Sequence, residues 1–149
     1  MPTVQKVART DAGLAAELRQ SVMRLRRRLA SERDPANELS IASMGVLGSL
    51  YRYGDLTVGD LASLERVQPP SMTRHVNALE DGGFVVRRPH ETDGRAVVVE
   101  LTELGRERLL ADRRRRDVWL ARRLRDLTVE ERDLLRAAAP ILQRLAEEA

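Results

Sequence analysis

The stretch from Val67 to Gly83 limits the fold of this chain more than any other. At about 100° per residue, Met72, Val76 and Leu79 fall on one stripe of a helix, and Arg74 projects from the opposite side. Proline's fixed φ suits a first helical turn, where its missing N–H leaves nothing unpaired, so Pro69 or Pro70 marks the entry and Gly82-Gly83 the exit. The outward set is Ser71, Arg74, Asn77 and Ala78, with Thr73 on the flank. Short hydroxyls, an amide and a long forked cation are chemistry suited to phosphates and base edges. A solvated surface helix carries the same residue types, so the neighbouring segments have to decide.

A chain of 149 residues fits one folding unit with a sizeable core. At 42% hydrophobic residues it is not wholly disordered. No window holds the roughly 20 consecutive apolar residues of a membrane span. Residues 1–11 lack the apolar centre of a signal peptide, which points to a cytoplasmic protein with no membrane partner. The absence of cysteine excludes disulfides, thiolate metal sites and cysteine nucleophiles. The two histidines, His75 and His90, stand in no metal-ligand spacing. Paired catalytic carboxylates, a phosphate cradle and a nucleophile elbow are also missing, so neither an enzyme, a metal nor a cofactor is expected.

Along the chain, residues 1–10 read as a loose arm. From Asp11, Leu14, Leu18, Val22, Leu25 and Leu29 form one face of a helix ending near Ser31. A second helix starts at the cap Ser40, runs through Ile41, Met44, Leu47, Leu50 and Tyr51, and stops at Gly54; it is apolar enough to be central. Thr57-Val58-Gly59-Asp60 resembles a capping box opening a short helix with Val58, Leu61 and Ala62 inward and Leu64 a further candidate. Two helices joined by a short turn, the second with a polar outward face, make a helix-turn-helix candidate. Phe84 to Arg88 and Ala96 to Leu101 are rich in β-branched residues and read as a hairpin around the polar turn Pro89 to Arg95. Thr102 caps a long helix reaching about Arg125, with Leu104, Ala111 and Val118 at seven-residue intervals. Its arginine run, Arg113 to Arg116, points in all directions and reads as solvated or salt-bridged rather than as a DNA contact. Trp119 reads as a packing anchor. Thr128-Val129-Glu130-Glu131 caps the last helix, with Leu134, Leu135, Ala138, Ile141, Leu142 and Leu145 inward and a kink expected between Arg136 and Pro140. The fold class is therefore mainly α with a small β-hairpin wing.

Charge makes the simple electrostatic case for DNA difficult. The chain holds 26 basic residues against 23 acidic. Arginine, nearly the whole of the basic set, suits bidentate phosphate and guanine contacts but also reflects GC-rich coding. Between Thr57 and Leu101 stand five arginines and seven acids. DNA binding then requires the arginines to segregate onto the face that meets the duplex. Arg74 on the outer helix face and Arg95 at the hairpin tip satisfy that. Gly94 lets the hairpin close, and Asp93 is placed to brace an Arg95 guanidinium entering a narrow, electronegative minor groove; the alternative is an exposed turn arginine.

Leu61-Ala62, Pro70-Ser71-Met72-Thr73-Arg74-His75-Val76 with Leu79-Glu80, Gly83-Phe84-Val85-Val86-Arg87, Asp93-Gly94-Arg95 and Leu101-Thr102-Glu103-Leu104-Gly105 together resemble the MarR family of winged-helix transcriptional regulators. The likeness spans roughly Leu14 to Leu145. It implies a homodimer built on intertwined first and last helices, residues 11–33 and 126–149. Each chain would carry a winged helix-turn-helix lobe, residues 40–102, and a connecting helix, 103–125. It further implies a palindromic operator in double-stranded DNA. Ser71, Thr73, Arg74 and Asn77 would face the major groove and Arg95, braced by Asp93, the minor groove. Pro70, His75, Arg87 and Gly94 complete the candidate contact set. A small aromatic or phenolic effector that releases a repressor is also implied. Two positions depart from the family pattern: Gln68 stands where a good helix cap is common, and Gly94 replaces the first of two wing-tip arginines.

Apolar stripes at both chain ends support the dimer independently, because one small lobe does not bury both. Two-fold symmetry then sets half-sites about 34–36 Å apart, or a multiple. A second reading keeps the same scaffold as a protein-interaction module that grips a partner through its helix and wing, without operator binding.

Overall fold

The computed structural model describes residues 9–147, so the arm expected over residues 1–10 lies outside them except for Arg9 and Thr10. In order, the elements are α1 (Asp11–Ser31), α2 (Ile41–Tyr53), β1 (Leu56–Thr57), α3 (Val58–Glu65), α4 (Pro69–Asp81), β2 (Val85–Pro89), β3 (Val97–Leu101), α5 (Glu103–Arg125) and α6 (Val129–Ala146). They divide into two compact units, one of residues 34–114 and one of residues 1–33 with 115–149; α5 begins in the first and ends in the second. No helix among the described residues is long and apolar enough to cross a membrane.

The 34–114 unit is organised around the underside of α4. Met72, Val76 and Leu79 are fully buried. They pack into one cluster with Met44, Val46, Leu47 and Leu50 of α2, Leu61 and Ala62 of α3, Val85 and Val99 of the sheet, and Leu109 of α5. Burying each such side chain contributes about 1.5–3 kcal/mol. The termini are specified locally. Ser40 Oγ accepts the Ser43 amide at 3.0 Å to start α2. Thr57 and Asp60 form a reciprocal capping box for α3, as the spacing predicts. Pro69 and Pro70 open α4. Its exit is a Schellman motif in which Phe84 N–H donates to Leu79 O at 2.9 Å and Gly83 N–H to Glu80 O at 3.0 Å, with Gly83 at φ 78°.

The wing is a three-stranded antiparallel sheet in the order β1-β3-β2. Val85 pairs with Leu101 and Pro89 with Val97, while Leu56 and Thr57 pair with Val99 and Val98. The two-residue β1 escaped the sequence reading because two residues carry no measurable alternation. The sheet's far end is closed by Thr102, whose Oγ1 donates to Gly83 O at 2.7 Å and accepts the Gly105 amide at 3.1 Å. One hydroxyl thereby caps α5 and ties it to the exit of α4.

Several packing expectations change. The buried face of α5 is Gly105, Leu109 and Asp112, not the seven-residue series; Leu104 and Val118 are exposed. Gly105 faces the wing so closely that a Cβ would lie 2.2 Å from Phe84 O, and a heptad reading passes over a glycine. Asp112 is fully buried and accepts Asn37 Nδ2 at 2.8 Å, a polar bridge invisible to hydrophobic periodicity. Ile41, Tyr51 and Leu64 are exposed, the last at the end of a helix too short to turn it back to the core. Neither α1 nor α6 contains a buried residue, so the stripe expected to point inward from α6 is uncovered in a single chain. α6 continues through Pro140, where a proline removes one hydrogen bond without ending the helix. Trp119 is half-buried and packs in the other unit between the Arg28 and Arg123 guanidinium groups, 4.5 and 5.5 Å from the ring centroid.

The contact at Gly105 is backbone against backbone, so a methyl group cannot be absorbed by rotating a side chain. Gly105→Ala is expected to destabilise the protein by about 1–3 kcal/mol, measured as a lowered midpoint in urea unfolding.

Candidate nucleic-acid interface

The face of α4 opposite its buried stripe is the candidate site. Thr73, Arg74, Asn77 and Ala78 are exposed, and Ser71 and His75 are half-buried on the flanks. Arg74 reaches outward, its guanidinium meeting only the Ser71 hydroxyl, at 3.2 Å, among the described residues. Thr73 Oγ1 donates to Pro69 O at 3.0 Å, which commits its proton and leaves the oxygen as an acceptor. Gln68 makes no side-chain cap, and Pro69 and Pro70 bring no amide. Of the three first-turn positions only Ser71 therefore presents an N–H to an incoming anion.

Asn77 is differently engaged than expected. Its Oδ1 accepts Arg87 Nη2 at 2.6 Å, so its amide presents nitrogen and not the paired donor and acceptor that match adenine. Arg87 is half-buried: Nη1 meets Glu80 Oε1 at 2.9 Å, and its backbone amide donates to Glu80 Oε2 at 3.1 Å. This guanidinium stitches α4 to β2 and is not extended toward solvent.

At the wing tip, Asp93 and Arg95 come together through the backbone. Asp93 Oδ1 accepts the Arg95 amide at 3.1 Å, so the carboxylate fixes the turn and not the guanidinium. His90 Nδ1 accepts the Thr92 and Asp93 amides, both at 3.2 Å, a role for this histidine that the sequence did not signal. Gly94 has no positive φ and open space where a Cβ would stand, so closure of the hairpin does not require glycine there. Arg95 is fully outward, with no ion pair among the described residues.

These partnerships separate the charges without changing their count. Glu80 is held by Arg87, Glu100 and Asp55 by Arg88, Asp60 by the α3 capping box, and Glu65 by Ser49. Four of the acids that outnumber arginine in sequence between Thr57 and Leu101 thus have structural assignments. Arg74 and Arg95 have no carboxylate partner among the described residues. A signed count along the chain cannot make this separation, because it depends on which side chains meet.

A polar-faced helix on a buried underside, led by a short helix and followed by a wing, is a winged helix-turn-helix. The MarR family model matches residues 39–97. Over 139 residues the chain is 47% identical to an HTH-type transcriptional regulator of Mycobacterium bovis, Mb0904, covering 93% of this chain and 96% of that one. The chain belongs to the MarR family. It is an HTH-type transcriptional regulator, with the mainly α, winged-helix fold that the sequence predicts. The transcriptional repressor MdtR of Bacillus subtilis is 33% identical over 111 residues, covering 72% of this chain and 68% of that one. A transcriptional regulator from Pseudomonas aeruginosa superposes with a TM-score of 0.83 at 36% identity, covering 95% and 99% of the two chains.

The Glu80–Arg87 link is bidentate in kind but partly open to water, which screens it. Glu80→Ala in this MarR-family chain is expected to cost about 1 kcal/mol in urea unfolding, with the slope unchanged because the same surface is exposed.

Proposed function

We propose that this regulator is a homodimeric repressor that binds a palindromic DNA operator, with α4 in the major groove and the wing tip in the minor groove. The observation that carries the reading is Arg74, projected from a helix whose other side is fully buried, with a hydroxyl and no carboxylate beside its guanidinium among the described residues. Arg74 reads a base edge, and Ser71, Thr73, His75 and the Asn77 amide nitrogen line the same groove with Pro70 at the helix start. Arg95 enters the minor groove from a turn that Asp93 shapes, with Gly94 beside it, and Arg87 acts indirectly by holding α4 to the wing.

The dimer is supported by uncovered apolar side chains in both end helices. Leu14, Leu18, Val22, Met23 and Leu25 of α1 are exposed, as are Leu134, Leu135, Ile141, Leu142 and Leu145 of α6. Stripes of that size are closed by a second copy, which also supplies the second half-site. A small aromatic or phenolic effector that lifts repression fits the open groove lined by Gly48, Ser49, Arg52, Tyr53, Leu64 and Arg113, where guanidinium groups and a phenol adjoin apolar surface. The reading places the protein in the cytoplasm, with the chromosome.

Selection of bound sequences from a random duplex pool, followed by gel-shift titration, tests the proposal. Operator affinity is expected to fall steeply with salt; a protein-interaction module would enrich no sequence and give no such slope. Arg74→Ala should cost about 1–3 kcal/mol and relax preference at one base position in each half-site, whereas Arg95→Ala should weaken selected and unselected DNA more evenly. Because a side chain at Gly94 meets open space, Gly94→Arg should tighten binding and steepen the salt slope by about one counterion per half-site, with no loss of thermal stability.

A further inference from the structure

The turn between α3 and α4 contains the one non-glycine residue with positive φ among the described residues, Arg66, at φ 53° and ψ 46°. It sits at the αL position of a second Schellman turn: Val67 N–H donates to Ala62 O at 2.9 Å and Arg66 N–H to Ser63 O at 3.3 Å. Glycine adopts that conformation without steric cost, whereas a residue with a Cβ is disfavoured there. Nothing in the fold compensates through the side chain. Arg66 is exposed and its guanidinium makes no hydrogen bond, ion pair or ring contact among the described residues. A long cation thus stands at the one turn position where the backbone favours glycine, three residues ahead of the first residue of α4.

We infer that Arg66 is a DNA-phosphate contact, positioned by its left-handed backbone beside the N-terminus of α4. The inference rests on the operator-binding reading and adds a residue to it. In a helix-turn-helix the first helix crosses the sugar-phosphate backbone while the start of the second enters the groove. The turn joining them therefore lies over phosphates, and a free guanidinium there meets an anion with two parallel N–H donors. The Arg66 side chain is exposed, while Ala62 is buried and Val67 half-buried on the packed side of the turn. Arg66 is then a third cation, with Arg74 and Arg95, that has no carboxylate partner among the described residues, and its contact carries no sequence information.

The test compares Arg66→Gly, Arg66→Gln and Arg66→Lys in the full-length protein, using a 30-base-pair duplex of mixed sequence and the selected operator. Arg66→Gly and Arg66→Gln should each weaken binding to both duplexes by a similar factor, about 5- to 10-fold, and reduce the salt slope by about one per half-site. Arg66→Lys should retain most of the affinity, because the charge remains. Arg66→Gly should also melt no lower than wild type, since it relieves the backbone, which separates lost contact from lost folding. Binding within twofold of wild type for Arg66→Gly and Arg66→Gln, with unchanged slope, overturns the inference while Arg74→Ala still reports on the operator reading. If wild-type protein binds neither duplex, the operator reading itself fails.

Discussion

Everything functional in this lobe depends on the burial of one side of a thirteen-residue helix. Met72, Val76 and Leu79 are sealed against α2, α3 and the sheet, which fixes the rotation of α4 about its own axis. Once that rotation is set, the directions of Arg74, Asn77 and Thr73 follow from helical geometry alone. The Schellman exit then determines where the chain re-emerges, and the Thr102 hydroxyl fastens that exit to α5. The outward side chains of α4 are thus mounted on a backbone whose orientation packing has already set.

Electrostatics in the lobe are governed by partnership more than by composition. Carboxylates near α4 and the wing are mostly tied to structural tasks: a cap, a strand-to-strand bridge, or the link from Glu80 to Arg87. A bridging arginine such as Arg87 and an outward one such as Arg74 are the same residue type with opposite consequences. The first holds two elements together and contributes little field; the second has its charge available to a polyanion.

Much of this was legible in the residues. The period of α4, its proline entry and glycine exit, the Thr57 and Thr128 capping boxes and the hairpin all correspond to local rules, and local rules need only neighbouring residues. What stayed hidden depended on contacts distant in sequence. The closeness of Gly105 to Phe84, the bridge from Asn37 to buried Asp112 and the capture of Asn77 by Arg87 join residues that no spacing relates. Arg66 was hidden for another reason. A positive φ at a residue other than glycine is a property of the turn and leaves no compositional mark.

The single tryptophan of the chain also has a practical meaning. Trp119 is flanked by two guanidinium groups in the unit formed by the chain ends, while every candidate DNA contact belongs to residues 34–114. Its fluorescence is therefore a native beacon for one unit alone. A change in emission colour when duplex is added would be communication arriving from elsewhere in the molecule, visible without attaching any dye.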